Sequence, residues 1–179
     1  MYQIIPERSE DAVSIETLLG QCFGNERFRK TAYKIRQNVT SIKALNFVGI
    51  SNDALVASIR YWPLIVGKKT SALLLGPIAV HPDRQGEGIG VALIWDTLKL
   101  AKNLGHSLVV LVGDPEYYER FGFVSAFDNG LQMPGPVARH RFLVCELQEN
   151  ALSGVQGMVH GATDTLDEAV KICEFTQGD

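Results

Sequence analysis

Cysteine is scarce: three among 179 residues, Cys22, Cys145 and Cys173, an odd number at wide spacings with no C-x-x-C pair. That argues against a disulfide framework and a structural zinc site, and it fits a reducing cytoplasm. Charge of one sign is lacking as well, since 17 Lys+Arg stand against 20 Asp+Glu for a formal net charge of −3. A surface that neutralises a phosphate backbone needs the opposite excess, so nucleic acid is not an expected partner. Long hydrophobic runs are missing. Runs such as Ala72–Leu75 and Leu108–Val112 are only four and five residues long, far short of the roughly 20 that cross a bilayer. Residues 1–10 show no basic stretch followed by an apolar one, so a cytoplasmic chain without a membrane partner is expected. No Gly/Ser linker and no repeat of solenoid length interrupts the chain, which predicts a single domain over 1–179.

What is present is apolar material for one core, 46% of residues, arranged in short periodic segments. Tyr2–Ile5 alternates like a strand. Ser9 is a candidate N-cap ahead of Ala12, Ile15, Leu18, Leu19 and Cys22 at helical spacing. Phe28, Ala32 and Ile35 predict a shorter, basic helix over 28–37. Asn46–Ser51 and Leu55–Tyr61, joined at Asn52-Asp53, read as a hairpin. Ser71–Val80 is a strand broken at Gly76-Pro77, because proline cannot donate to a ladder and is tolerated mainly at bulges or edges. Val91, Ile94, Trp95, Leu98, Ala101 and Leu104 form the clearest helical stripe, stopped by Gly105. Leu108–Val112 is apolar throughout, as expected of a strand covered on both faces. Further strands are expected near 123–126, 142–147 and 155–159, and a peripheral helix on Leu166, Val170 and Cys173.

Between strand and helix lies Arg84-Gln85-Gly86-Glu87-Gly88-Ile89-Gly90. Unpaired N–H groups and the dipole at a helix start attract anions, and glycines let a phosphate approach the main chain. Such glycines also make tight turns, so the surrounding pattern must decide. A dinucleotide fingerprint places Gly or Ala where Val91 stands, and a P-loop needs Lys-Ser or Lys-Thr after its last glycine, where Ile89-Gly90-Val91 is found. Both are disfavoured.

The loop resembles instead the acetyl-CoA loop of the GCN5-related N-acetyltransferase (GNAT) family, Gln/Arg-x-x-Gly-x-Gly/Ala, through Gln85, Gly88 and Gly90. Tyr118-Glu119-Arg120-Phe121-Gly122-Phe123 resembles the family's later Tyr-Glu-x-x-Gly-Phe motif, and the likeness covers about residues 2–147. The wording Gly76–Pro82 and Gly113–Tyr118 is similar to a bacterial subgroup of predicted acetyltransferases. The resemblance implies an α/β (α+β) fold: a mixed, twisted, mostly antiparallel sheet of about six or seven strands, helices on both faces, and two splayed parallel central strands. It also implies transfer of an acetyl group from acetyl-CoA to a primary amine, on a small molecule or a protein, by direct attack and without a metal. The chain is then a monomer or homodimer.

On that resemblance Ile78, Ala79 and Val80 hold the pantetheine arm, and amides of Gln85, Gly86, Glu87, Gly88, Ile89, Gly90 and Val91 hold the pyrophosphate. A strand N–H near Ala79 or Val80 stabilises the carbonyl oxygen as charge builds on it. Asp114, Tyr117, Tyr118 and Phe121 complete the cofactor wall. Tyr118 is the candidate proton donor to the departing thiolate, with a packing role as its rival, and Asp114 is the expected cap of the next helix. No carboxylate lies in Leu73–Val80, where many relatives carry one, so the general base is open between water and the His81/Asp83 turn. That gap leaves a second reading, a CoA-binding module without turnover. Arg27–Arg36 could line a site for an acidic acceptor or be a solvated helix face.

Overall fold

The computed structural model describes residues 1–163. Its strands run β1 (Gln3–Pro6), β2 (Phe47–Ser51), β3 (Ala54–Val66), β4 (Thr70–Val80), β5 (Leu108–Val112), β6 (Val124–Ser125), β7 (Leu131–Gln132), β8 (Phe142–Glu146) and β9 (Gly157–Gly161). The helices are α1 (Ala12–Phe23), α2 (Thr31–Ile35), α3 (Ile89–Asn103) and α4 (Pro115–Tyr118). The main sheet follows the order β1-β2-β3-β4-β5-β8-β6, with β9 on the far part of β3 and β7 on β9. Nine strands are found where six or seven are expected; β6 falls in the run expected near 123–126, whereas β7 is a two-residue piece that no periodicity reveals. Most pairs are antiparallel; β4 and β5 are parallel, joined through α3 as the β-α-β reading requires.

The strand signals behave as their chemistry dictates. Asn52 (φ 48°) and Asp53 (φ 59°) both adopt the left-handed conformation of a two-residue hairpin turn. β3 runs on past Tyr61 through Pro63 to Val66. Pro63 is tolerated because its carbonyl, and therefore its donor-less nitrogen, faces away from β4: Ala162 N–H donates to that carbonyl at 3.1 Å, beyond the reach of β2. Gly105 (φ 88°) ends α3, with its own N–H and that of His106 donating back to Lys102 and Ala101.

Two helical expectations need correction. Ser9 does not cap α1. Asp11 closes that turn instead, accepting from the Arg8 N–H at 2.8 Å and from its guanidinium, which holds the Asp11 carboxyl below the ordinary range. Nor is 28–37 one helix: a 3₁₀ turn over Asn25–Arg29 ends at extended Lys30, and α2 begins at Thr31. The helix expected beyond Thr163 lies outside the described residues.

Alternation sorts the core onto two faces. Leu73, Leu75, Val109 and Leu111 pack under Leu93, Ile94, Leu98 and Ala101 of α3. Leu74, Val110, Phe142 and Val144 face the other way, toward Ile35 of α2. Ile15, Leu18 and Leu19 of α1 cover Val48 and Ala79.

Candidate active site

β4 and β5 pair only at Leu73↔Val109 and Leu74↔Val110. Beyond that point β5 stays with β8, and β4 stays with β3 through Val80, so a wedge opens between them. The cause is local. From Leu75 to Ile78 the chain takes three steps while its partner takes two, Tyr61 to Ile59, so one extra residue is accommodated at Gly76-Pro77. Gly76 sits at φ 127°, a conformation that favours glycine. Its carbonyl is turned out of the ladder and accepts from Trp62 Nε1 at 2.7 Å and Arg36 Nη1 at 3.0 Å. The expected break at Gly76-Pro77 is thus a bulge that aims β4 away from β5.

The wedge has backbone groups to offer. His81 N–H donates to Val56 of β3 at 2.8 Å, so by alternation Val80 and Ile78 direct their amides to the open edge. The Val80 carbonyl agrees, accepting from the Cys22 thiol and Gln85 Nε2, each at 3.4 Å, rather than from β3. A buried amide left unsatisfied costs about 1–3 kcal/mol, so such an edge must meet water or a ligand.

The wedge leads to the glycine loop. Gly86 (φ 85°) and Gly88 (φ 80°) are left-handed, and a Cβ at either would meet nothing within 4 Å, so backbone conformation rather than crowding calls for glycine here. α3 opens with Ala92 N–H bonded to the Gly88 carbonyl at 2.9 Å, and the amides of Ile89, Gly90 and Val91 precede that bond. Arg84 fixes the loop from outside: it holds Glu87 through contacts of 2.6 and 2.8 Å and donates to Ser51 Oγ at 2.9 Å. These bonds hold the Glu87 carboxyl below its ordinary range. The Glu87 side chain is therefore occupied with Arg84, and only its backbone is offered to a ligand.

Ile78, Ala79, Val80, Gln85, Gly86, Gly88, Ile89, Gly90, Val91 and Tyr117 line one cavity, together with Cys22, Phe23, Arg84 and Arg120. The Tyr117 hydroxyl would stand 3.4 Å from a Cβ on Gly90, so this ring closes the cavity over the helix start. Tyr118 turns to a second cavity of about 390 Å³, which also receives Asp114. Phe23 and Ile78 belong to both and form the wall they share. Phe121 reaches neither: it is 3% exposed and stacks in the core on Trp95 and Tyr117. Asp114 caps α4, accepting from Glu116 N–H at 3.1 Å.

The Tyr118 ring packs against Gly113, where any Cβ would overlap its Cε2 and Cδ2. It is 8% exposed, and burial pushes its phenol well above the ordinary tyrosine range. A phenol in that state keeps its proton through neutral pH. Arg141 ties the same corner: its Nε donates to the Gly113 carbonyl, and its own carbonyl accepts from Gly113 N–H. The remaining lining of the second cavity includes Arg27, Lys30, Tyr33, Arg36, Val137 and Ala138. Sequence reading reaches the basic stretch 27–36 but misses Phe23 and Arg141 as cavity residues. No local spacing links the end of α1, α2 and the approach to β8.

This fold and this loop define an acyl-CoA-type transferase architecture. Residues 3–126 match the family model of the acetyltransferase (GNAT) domain, and the chain belongs to the GNAT family of N-acetyltransferases. It is similar to the N-acetyltransferase YhbS of Escherichia coli, 28% identical over 151 residues that cover 83% of this chain and 89% of the relative. The YhbS crystal structure in complex with CoA superposes with a TM-score of 0.77 at 27% identity, covering 93% of this chain and 92% of that one. A Brucella melitensis GNAT acetyltransferase in complex with acetyl-CoA gives a TM-score of 0.67 at 27% identity, covering 90% and 96%. The protein is accordingly a transferase with the GNAT arrangement of a mostly antiparallel sheet and a parallel pair, β4 and β5. Among the described residues no helix is long and apolar enough to cross a membrane.

Proposed function

We propose that the protein moves the acetyl group of acetyl-CoA to a primary amine by direct attack, with the donor along the glycine loop and wedge and the acceptor in the cavity that holds Tyr118. The observation that carries this reading is the opened β4 edge, whose Ile78 and Val80 amides run from the loop to the wall shared by both cavities. Amides at the start of α3 suit the pyrophosphate, and the Val80 or Ile78 N–H suits the carbonyl oxygen as it gains charge. The acceptor nitrogen bonds to the acetyl carbon, the carbon–sulfur bond breaks, and Tyr118 supplies a proton to the sulfur. An ammonium acceptor releases two protons, one balancing the thiol and one leaving to solvent. Asp114 is the one carboxylate among the described residues lining the acceptor cavity, and it already caps α4, which leaves water to carry the second proton away.

The test is calorimetry with acetyl-CoA followed by thiol release on adding amines. Binding with amine-dependent release is the expected result. Absence of acetyl-CoA binding would overturn the donor site, and binding with no release from any amine would favour the module without turnover.

A further inference from the structure

The second cavity is lined by four cations, Arg27, Lys30, Arg36 and Arg141, against the single carboxylate of Asp114. Among the described residues, only Arg27 of these four has a carboxylate partner, Glu16 at 2.9 Å. Arg36 is 9% exposed, yet its bonds go to the carbonyls of Ala32 and Gly76 and its flat face to the rings of Tyr33 and Trp62. Burial pushes its guanidinium down to about 10, which still leaves it charged at neutral pH. A buried cation without a counter-charge is costly unless something else neutralises it. Arg27 Nε is also buried without a hydrogen-bond partner among the described residues. Four cations against one carboxylate around one cavity describe a receptor for an anion, and the pantetheine arm entering past Ile78 is neutral.

We infer that the acceptor is an amine that also carries an anionic group, a carboxylate or phosphate, seated among Arg36, Lys30 and Arg141 while its nitrogen faces the thioester. The inference rests on the acetyl-transfer reading above and adds the acceptor's chemical class. Polyamines and lysine-rich peptides would meet repulsion there.

The test compares thiol release by the full chain with acetyl-CoA and paired amines. Glutamate, 2-aminoethyl phosphate and an acidic peptide with a free N-terminus stand against glutamine amide, ethanolamine and spermidine. The expected result is a kcat/KM at least about tenfold higher for an anionic member than for its neutral partner. The peptide arm separates protein from small-molecule acceptors. Lys30→Glu with Arg141→Glu, both at exposed positions, should erase the preference while acetyl-CoA still binds. Arg36→Met should do so more strongly if it folds. If no amine in the panel turns over, binding with CoA present decides, N-acetylglutamate against N-acetylglutamine amide, read by tryptophan fluorescence. Equal or absent binding of the charged member, preference for neutral or cationic amines, or a preference that survives the charge reversal would overturn the inference. Failure of acetyl-CoA itself to bind would instead overturn the donor reading.

Discussion

The two cavities that meet at Phe23 and Ile78 are built by opposite means. The cavity proposed for the donor is built mainly on one run of chain, β4 into the loop into α3, closed by Cys22, Phe23, Tyr117 and Arg120, and what that run presents is mainly main chain: the amides of Ile78, Val80 and the start of α3. The cavity proposed for the acceptor is gathered from the end of α1, α2, the Gly76 bulge, the end of β5 and residues 136–141, and what it presents is side chain. A backbone site tolerates any side chain that preserves its conformation. A side-chain site can change its ligand by changing a few residues while the fold stays put. Donor chemistry can therefore be shared across a family while acceptors diverge.

That contrast breaks most sharply at Gly88. Its φ of 80° and its place at the start of α3 mean that Gly88→Trp should weaken acetyl-CoA binding about a hundredfold or more in calorimetry, with the circular dichroism of the fold retained. An unchanged affinity would remove the loop from the site. Tyr118→Phe comes next, with kcat lowered roughly ten- to a thousandfold and acetyl-CoA affinity held within about twofold, since only a proton donor is lost. Because burial raises the phenol, wild-type kcat should not decline as pH passes the ordinary tyrosine range near 10; protonation persists until the higher value is reached. Equal turnover by the variant would make Tyr118 a packing residue.

Gly113→Ala tests the same corner through shape. The new methyl must displace the Tyr118 ring, so kcat should drop about tenfold and stability by about 1–3 kcal/mol, read by denaturant unfolding. Smallest is Arg84→Ala. It frees Glu87 and unfastens the loop from Ser51, and an exposed pair of this kind should alter acetyl-CoA affinity only about two- to fivefold. A much larger loss would mean that Arg84 leaves Glu87 to meet the ligand.

The same contrast explains what could be read in advance. Gln85, Gly88 and Gly90 sit within six residues, so spacing alone exposes them. Gly76-Pro77 announces a break by chemistry that no tertiary contact can disguise. Arg36 and Arg141, by contrast, are ordinary arginines until β8 returns beside β5 and α2 folds over the opposite face. The helix expected over 28–37 failed at Lys30, where the extended backbone that separates the two turns leaves no mark in the apolar spacing. Ser9 was outcompeted by an Arg8–Asp11 pair that the capping preference does not weigh.

The gap between β4 and β5 is also an unfinished edge in the middle of a sheet. Exterior edges are guarded by short strands, charge or coverage, whereas this one is shielded from other chains by its own depth. A ligand that pairs with it completes the ladder, binds the folded chain and has no equivalent in the unfolded one. Stability then rises with ligand concentration by mass action, by about 2.7 kcal/mol at a hundred times the dissociation constant. With the acyl donor as that ligand, as proposed, the bulge at Gly76 would make the persistence of the folded molecule a function of how much donor surrounds it.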